Sequence, residues 1–563
     1  MTAIASSKPS RVSEAQSTPA AKFSRWPVVI TAAAAALLSA LAVWLSWRQG
    51  WTLYYGDAEA HLNIARRVID SRTPGYPQFG TVWLPMLHAL LLPVVARDEL
   101  WRSGLAGVIP PAICFVLGVT FLFAAVRRVF SSTAAGATAA ALYAMNPNAL
   151  YLQSTPMTEA IFFASLAALL YFTVRFGATR SLWSAVGAGI ALLVGTLTRY
   201  EGWFLIPFTA AYFFATARGR RFRTAVLFGA MASLGPLLWL AYNGLVFHNV
   251  WEFYSGPSSP KAIQRGLPYP GKDDWEMAVI YFGWAVRVCA GAPLFFIAAA
   301  GVLAALWKRA FWPLLLLALP GAFYVWSVQS SATPIFLPNL WPHGYYNSRY
   351  GLVLLPLAAL SGAAIVALVG GNRSSAITPR KRQSERRALA GWITAGGIAV
   401  LSLAPWLLDP RPEAWITWKE SETNSVARRA WTRKAAEFLE SRYRPGDGVF
   451  TSFGDYTGVF REAGIPLRDT LTGDNGVAFQ SAQLRPDLVL WEQWALVMGG
   501  DPVQTAVNRA RRRGPYYDLM TRIIVKGAPV IEIYQRHTAP SDLLRPIHDD
   551  SQDSVPESAR GEE

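Results

Sequence analysis

The chain has 563 residues, with 52 Lys and Arg against 36 Asp and Glu for a net charge of +16, and 52 % of its residues are hydrophobic. Only 16 % are charged, against about 25 % in a soluble domain. That shortage, with apolar runs of membrane-crossing length, excludes a wholly soluble enzyme, a disordered chain and a disulfide-stapled scaffold. Cys114 and Cys289 stand far apart in apolar surroundings and read as small core residues. The basic excess falls in short clusters between apolar runs, where membrane topology explains it, so no nucleic-acid partner is expected.

Residues 1–26 carry Lys8, Arg11, Lys22 and Arg25 ahead of an apolar stretch that reaches Trp47. The stretch is too long for a cleaved signal, so it reads as a retained anchor behind a disordered, cytoplasmic amino terminus. Apolar runs lie near 27–46, 105–126, 132–147, 160–174, 182–198, 203–217, 225–242, 292–307, 310–327, 351–370 and 389–408. One crossing at each run puts all five basic clusters (Arg127-Arg128, Arg175 with Arg180, 218–223, Lys308-Arg309 and 373–387) on the cytoplasmic side. The expected fold is therefore a polytopic α-helical membrane protein of about 11 spans over 27–408, in the cell (inner or plasma) membrane. Residues 81–96, with Pro85, Pro93 and His88, are short of the roughly 20 residues a span needs and read as a re-entrant or surface-lying segment.

With that parity the outer face receives 48–104, 148–159, 198–203, 243–291, 328–350 and everything after about 409. In 409–540 charges and turn signals return. A helical pattern over 424–443 and β-like runs at 448–453, 488–491, 522–526 and 529–534 predict a small soluble α/β domain outside the membrane. The tail 541–563 holds seven acids and two Arg and reads as disordered. Asp455, Asp469 and Asp474 lie in turn contexts and read as turn-formers.

The chemistry-bearing residues gather in the outer segments. After the first run come Asp57, Glu59, His61, Arg66 and Arg67, within eleven residues. As a helix, Ala58, Leu62, Ala65 and Ile69 share one face and Glu59, Asn63, Arg66 and Asp70 another, a pattern suited to the membrane surface. Asp57 could simply cap that helix, but a base and cations placed together also suit an acceptor hydroxyl and a phosphate. In the next segment Thr155 reads as an N-cap before Pro156, and Glu159 either complements the helix dipole or serves a function at the edge of a span. Arg199 and Glu201 flank a short turn as an ion pair or as substrate ligands. His343, Arg349 and Tyr350 close the 328–350 loop, where Arg349 is suited to holding a phosphate.

The order of these motifs resembles membrane glycosyltransferases of the GT-C type, in particular the bacterial enzymes similar to protein O-mannosyltransferases and the lipid A aminoarabinose transferase. The likeness rests on the Asp57-x-Glu59 pair, on 61–67, on Thr81-Val82-Trp83-Leu84-Pro85, on Pro156-Met157-Thr158-Glu159 and on Arg349-Tyr350, and it covers roughly 27–370. It implies a sugar donor on polyprenyl phosphate, delivered within the bilayer, and a lipid, glycan or protein acceptor. By position Asp57 and Glu59 match the first-loop acids and Glu159 the acid of the next loop, so all three are carried over as catalytic. His61, Arg66, Arg199, Glu201, His343, Arg349 and Tyr350 are then the candidate substrate ligands. No cofactor is required, although Asp57, Glu59 and Glu159 could also hold a divalent metal ion. The two first-loop acids are separated here by Ala58 where the protein O-mannosyltransferases have them adjacent, which leaves open which acid is the base. A transporter or lipid flippase is the rival reading and would put charges in mid-span; a noncatalytic scaffold is a third.

Overall fold

The computed structural model describes residues 24–549 apart from 265, 331–332, 372–380, 455–456, 511–513 and 538–547. The expectations for the amino terminus before residue 24, for Asp455 and for nearly all of the acidic tail lie outside the described residues.

Each of the eleven apolar runs forms a helix, but their lengths differ. Seven are long and apolar enough to cross a membrane: Trp26–Arg48, Leu105–Phe130, Glu159–Thr179, Arg221–Phe247, Phe311–Ser330, Ser348–Gly370 and Glu385–Leu408. An eighth crossing is available if Trp275–Ala290 and Ala292–Trp307, bent by 110°, act as one. The bend falls at Gly291, whose φ of +82° suits a residue without a Cβ. Helices Thr133–Ala144, Leu182–Thr196 and Glu201–Thr216 have 12, 15 and 16 residues, which at about 1.5 Å per residue fall short of a hydrocarbon core of about 30 Å. Among the described residues seven helices, or eight with the bent pair, thus have the length of a full crossing, where the sequence predicts about eleven, because apolarity alone does not distinguish a full-length span from a shorter helix buried among others.

Residues 81–96 contain the helix Met86–Val95, ten residues long. Helix Gly56–Arg67 packs on it, and here the sequence reading is overturned. Every residue from Ala58 to Arg67 is buried, so this helix does not lie on a membrane surface. What covers it is the carboxy-terminal part of the chain.

That part begins with helix Ile416–Glu440 and continues into a six-stranded sheet in the order β2-β1-β3-β5-β4-β6. The strands are β1 (Val449–Thr451), β2 (Thr470–Leu471), β3 (Trp494–Met498), β4 (Tyr516–Ile523), β5 (Ile531–His537) and β6 (His548–Asp549). β1 pairs parallel with β2 and β3, whereas β5 runs antiparallel between β3 and β4. Side chains alternate across the sheet, as the two-residue strand period demands. Trp494, Leu496 and Ile533 join a core with Leu62 and Ala65 of Gly56–Arg67, Leu87 of Met86–Val95 and Trp431 of Ile416–Glu440. Ala495, Val497 and Tyr534 face the other way, onto helices Val477–Leu484 and Pro502–Ala510. Residues expected as a strand at 488–491 fall instead on the helix Pro486–Val489 and just after it, and the strand of that region is β3. A fully buried strand carries no alternation in polarity to mark it.

Close helix contacts are made through glycine. A Cβ on Gly301 of Ala292–Trp307 would lie 2.1 Å from the Ser361 carbonyl oxygen, whereas one on Gly283 of Trp275–Ala290 would meet nothing within 4 Å. Gly301→Ala is therefore expected to cost about 1–3 kcal/mol as an overpacked contact. Gly283→Ala is expected to be neutral or to stabilise by up to about 1 kcal/mol, and thermal unfolding in detergent compares the two.

Candidate active site

Five segments distant in sequence bring their charges to one place, the last being helix Ile416–Glu440 with Glu420. Helix Gly56–Arg67 supplies Asp57 in its first turn, behind Tyr55 as the capping residue, so Asp57 is not the N-cap. The long helix Glu159–Thr179 starts at Glu159 after Thr158. The expected cap Thr155 instead bonds the Leu152 carbonyl, and Asn146 caps the short helix Pro147–Leu152. Arg199 sits in the turn before Glu201–Thr216, and Arg349 in the first turn of the 3₁₀ stretch Ser348–Leu354.

Arg349 is the hub. Its Nη2 donates to Asp57 Oδ2 at 2.6 Å, its Nη1 donates to Glu420 Oε1 at 2.8 Å, and its Nε lies 3.3 Å from Glu159 Oε1. Arg199 reaches the same Glu159 oxygen with Nη1 at 3.2 Å, donates from Nη1 to Thr158 Oγ1 at 2.7 Å and from Nε to Glu201 Oε1 at 2.7 Å, and bonds the Tyr324 hydroxyl. Tyr324 in turn donates to Glu201 Oε1 at 2.5 Å. The two guanidinium groups stand 5.4 and 5.5 Å from the centre of the Tyr350 ring, and Tyr55 receives Arg349 at 4.9 Å. Four carboxylates thus meet two guanidinium groups, which keeps both arginines ionised despite burial.

Exposure separates the acids. Asp57 keeps 30 % of its side chain open, whereas Glu159 keeps 4 % and Glu420 1 %. Only one oxygen of Glu159 is engaged; its Oε2 is buried without a hydrogen-bond partner among the described residues. Asp57 is the accessible carboxylate of the cluster, with one oxygen held by Arg349.

The remaining expected residues lie elsewhere. Glu59 is turned to the sheet part, where Arg461 grips it through Nε and Nη2 at 2.9 and 3.1 Å. Arg66 bonds Asp70 at 2.9 Å, the Val95 carbonyl at 2.6 Å and Asp98, and it lies over Trp101. His343 is on an exposed turn against the Pro338 carbonyl. His61 is buried beside the cluster, with Nδ1 2.9 Å from His88 Nε2 and its ring against Trp83. Burial first, and then Arg349 and Arg199, lower its pKa to about 3. His88, buried next to His61 and Arg67, is also held well below the ordinary value.

Because Glu59 faces Arg461, the trio Asp57, Glu59 and Glu159 does not converge. Among the described residues no three His, Cys, Asp or Glu side chains form a metal-holding group. Glu420, Tyr55 and Tyr324 were not anticipated from sequence. The available signal for Glu420 was an acid inside the aromatic start of a helix, next to Trp415 and Trp418, where a solvated acid is out of place.

Comparison with known proteins shows that the chain is similar to glycosyltransferases of the GT-C type. Residues 99–241, which include Glu159, Arg199 and Glu201, match the family model described as dolichyl-phosphate-mannose-protein mannosyltransferase. No curated protein matches the sequence. The structure of ArnT from Cupriavidus metallidurans bound to undecaprenyl phosphate has the same fold, with a TM-score of 0.53 and 15 % identity over 92 % of this chain and 99 % of that one. The apo state of the same protein gives 0.53 and 13 % over 90 % and 97 %.

Two predictions follow from the buried charges. Arg461→Met leaves Glu59 buried without its partner and is expected to cost about 3–5 kcal/mol, while Glu59→Gln with Arg461→Met recovers most of the loss, read from thermal midpoints. For His61 and His88 the unfolded state binds protons below about pH 6.5 and the folded state does not. Stability is therefore expected to be full above that pH and to fall as pH drops toward 3, with a shallower fall in the His61→Gln, His88→Gln double variant.

Proposed function

We propose that the protein is a glycosyltransferase that moves a hexose or pentose from a polyprenyl-phosphate donor to a hydroxyl of a lipid, glycan or protein on the outer face of the cell membrane. The observation that carries the reading is the Arg349–Asp57 pair, which sets an accessible carboxylate against a buried, permanently charged guanidinium. Asp57 is the base. The acceptor oxygen bonds the anomeric carbon from the side opposite the phosphate, and its proton passes to the free oxygen of Asp57. The bond from that carbon to the phosphate oxygen breaks, and its electron pair leaves on the lipid phosphate, so configuration is inverted.

The phosphate gains a charge as it departs, and donors already fixed in place stabilise that charge most. Arg349 gives one N–H of each terminal nitrogen to a carboxylate, which leaves the second N–H of each for phosphate. Arg199, held by Glu201 and Tyr324, adds a second cation, and the unpartnered Glu159 Oε2 accepts a hydroxyl of the sugar or acceptor. The undecaprenyl phosphate bound in the ArnT structure supports a lipid-phosphate donor. In this reading the amino terminus is cytoplasmic, and residues 409–540 form an extracytoplasmic domain that closes over the first loop.

Membranes carrying the wild-type chain are expected to transfer radiolabelled sugar from polyprenyl-phosphate donors, and Asp57→Asn to lose at least about a hundredfold in rate while keeping its size in detergent. Equal rates in both would remove Asp57 as the base.

A further inference from the structure

Helix Ile416–Glu440 runs back across the candidate site and touches the segments that carry its charges. The Thr417 amide donates to Asn148 Oδ1 at 3.1 Å, and the Thr417 carbonyl accepts from the Tyr55 hydroxyl at 2.7 Å. The hydroxyls of Ser421 and Tyr151 are 2.7 Å apart, and Asn424 donates to the Tyr345 carbonyl at 2.7 Å. Glu420 lies among these contacts. Its Oε1 accepts from Arg349 Nη1 at 2.8 Å, while its Oε2 accepts from the Ser348 amide at 2.7 Å and from the Ser348 hydroxyl. A single carboxylate thus holds both the side chain of Arg349 and the backbone just before it. Two engaged oxygens and three donors are a geometry that a neutral amide, with one acceptor oxygen, does not reproduce.

We propose that Glu420 is the positioning residue of the site: it fixes the Arg349 guanidinium so that Nη2 faces Asp57, and so makes the site competent only when helix Ile416–Glu440 is docked. Without it Arg349 retains two carboxylate partners, Asp57 and Glu159, and is free to collapse onto them. The role concerns the orientation of Arg349, and only its catalytic readout rests on the transferase reading.

The test compares Glu420→Gln, Glu420→Asp and wild type for transfer from a polyprenyl-phosphate donor. A displacement of about 1 Å at such a group costs on the order of a hundredfold. Glu420→Gln is therefore expected to lower kcat by about ten- to a hundredfold, with a smaller change in KM for the donor, and Glu420→Asp to restore part of the rate. A merely structural role would lower stability and the yield of folded protein without lowering kcat per folded molecule, and Glu420→Asp would then restore no rate. Wild-type kcat in Glu420→Gln, or a loss of rate that only tracks a loss of folded protein, overturns the proposal. If the wild type transfers nothing from any donor, the transferase reading fails separately. A thermal-unfolding cycle of Glu420→Gln, Arg349→Met and the double variant then decides: non-additive shifts uphold the coupling, and additive shifts overturn it.

Discussion

One guanidinium, that of Arg349, is shared by carboxylates from three remote stretches of chain, Asp57, Glu159 and Glu420. A buried cation is tolerable only when its desolvation is offset by close, well-directed anions, and each surrounding feature meets that demand. Ser348 fastens the backbone before it to Glu420, and Tyr55 and Tyr350 supply ring faces. Arg199 shares the load on Glu159 and is itself steadied by Glu201 and Tyr324. Removing any one carboxylate would redistribute the guanidinium among the others, so the geometry at Asp57 depends on groups that are themselves buried.

How much of this is legible in the sequence depends on what sets each feature. Apolar runs follow from composition, and all eleven are helices. Their lengths are not legible, because a short helix buried among others, such as Leu182–Thr196, is as apolar as a span. Asp57, Glu159, Arg199, Glu201, Arg349 and Tyr350 do come together, since charged residues at the ends of apolar runs are costly unless they meet one another. Glu59 and Arg66 carry the same local signal but answer to Arg461 and to Asp70 with Asp98; of these only Asp70, four residues on from Arg66, is announced by a local pattern. Glu420 escaped notice because it lies just ahead of the helical pattern read at 424–443, and its aromatic neighbours Trp415 and Trp418 hint at burial without naming Arg349 and Ser348 as its partners.

Helix Gly56–Arg67 shows the same principle on a larger scale. Its two faces look amphipathic, yet its polar side does not meet water. Glu59 meets Arg461, Asn63 donates to the Thr457 carbonyl at 3.0 Å, and Arg67 pairs with Asp474. An amphipathic pattern records that one face is polar; it does not record whether the partner of that face is solvent or protein.

The pairing of Glu59 with Arg461 spans 402 residues, and this separation constrains the order in which the molecule is made. At synthesis rates of about 5–20 residues per second, roughly 20–80 s pass between the emergence of the two partners. Throughout that interval the first loop already carries acids and arginines meant for burial, while the surface that will neutralise them has not yet been translated. The nascent chain must therefore keep this segment hydrated until its last quarter arrives.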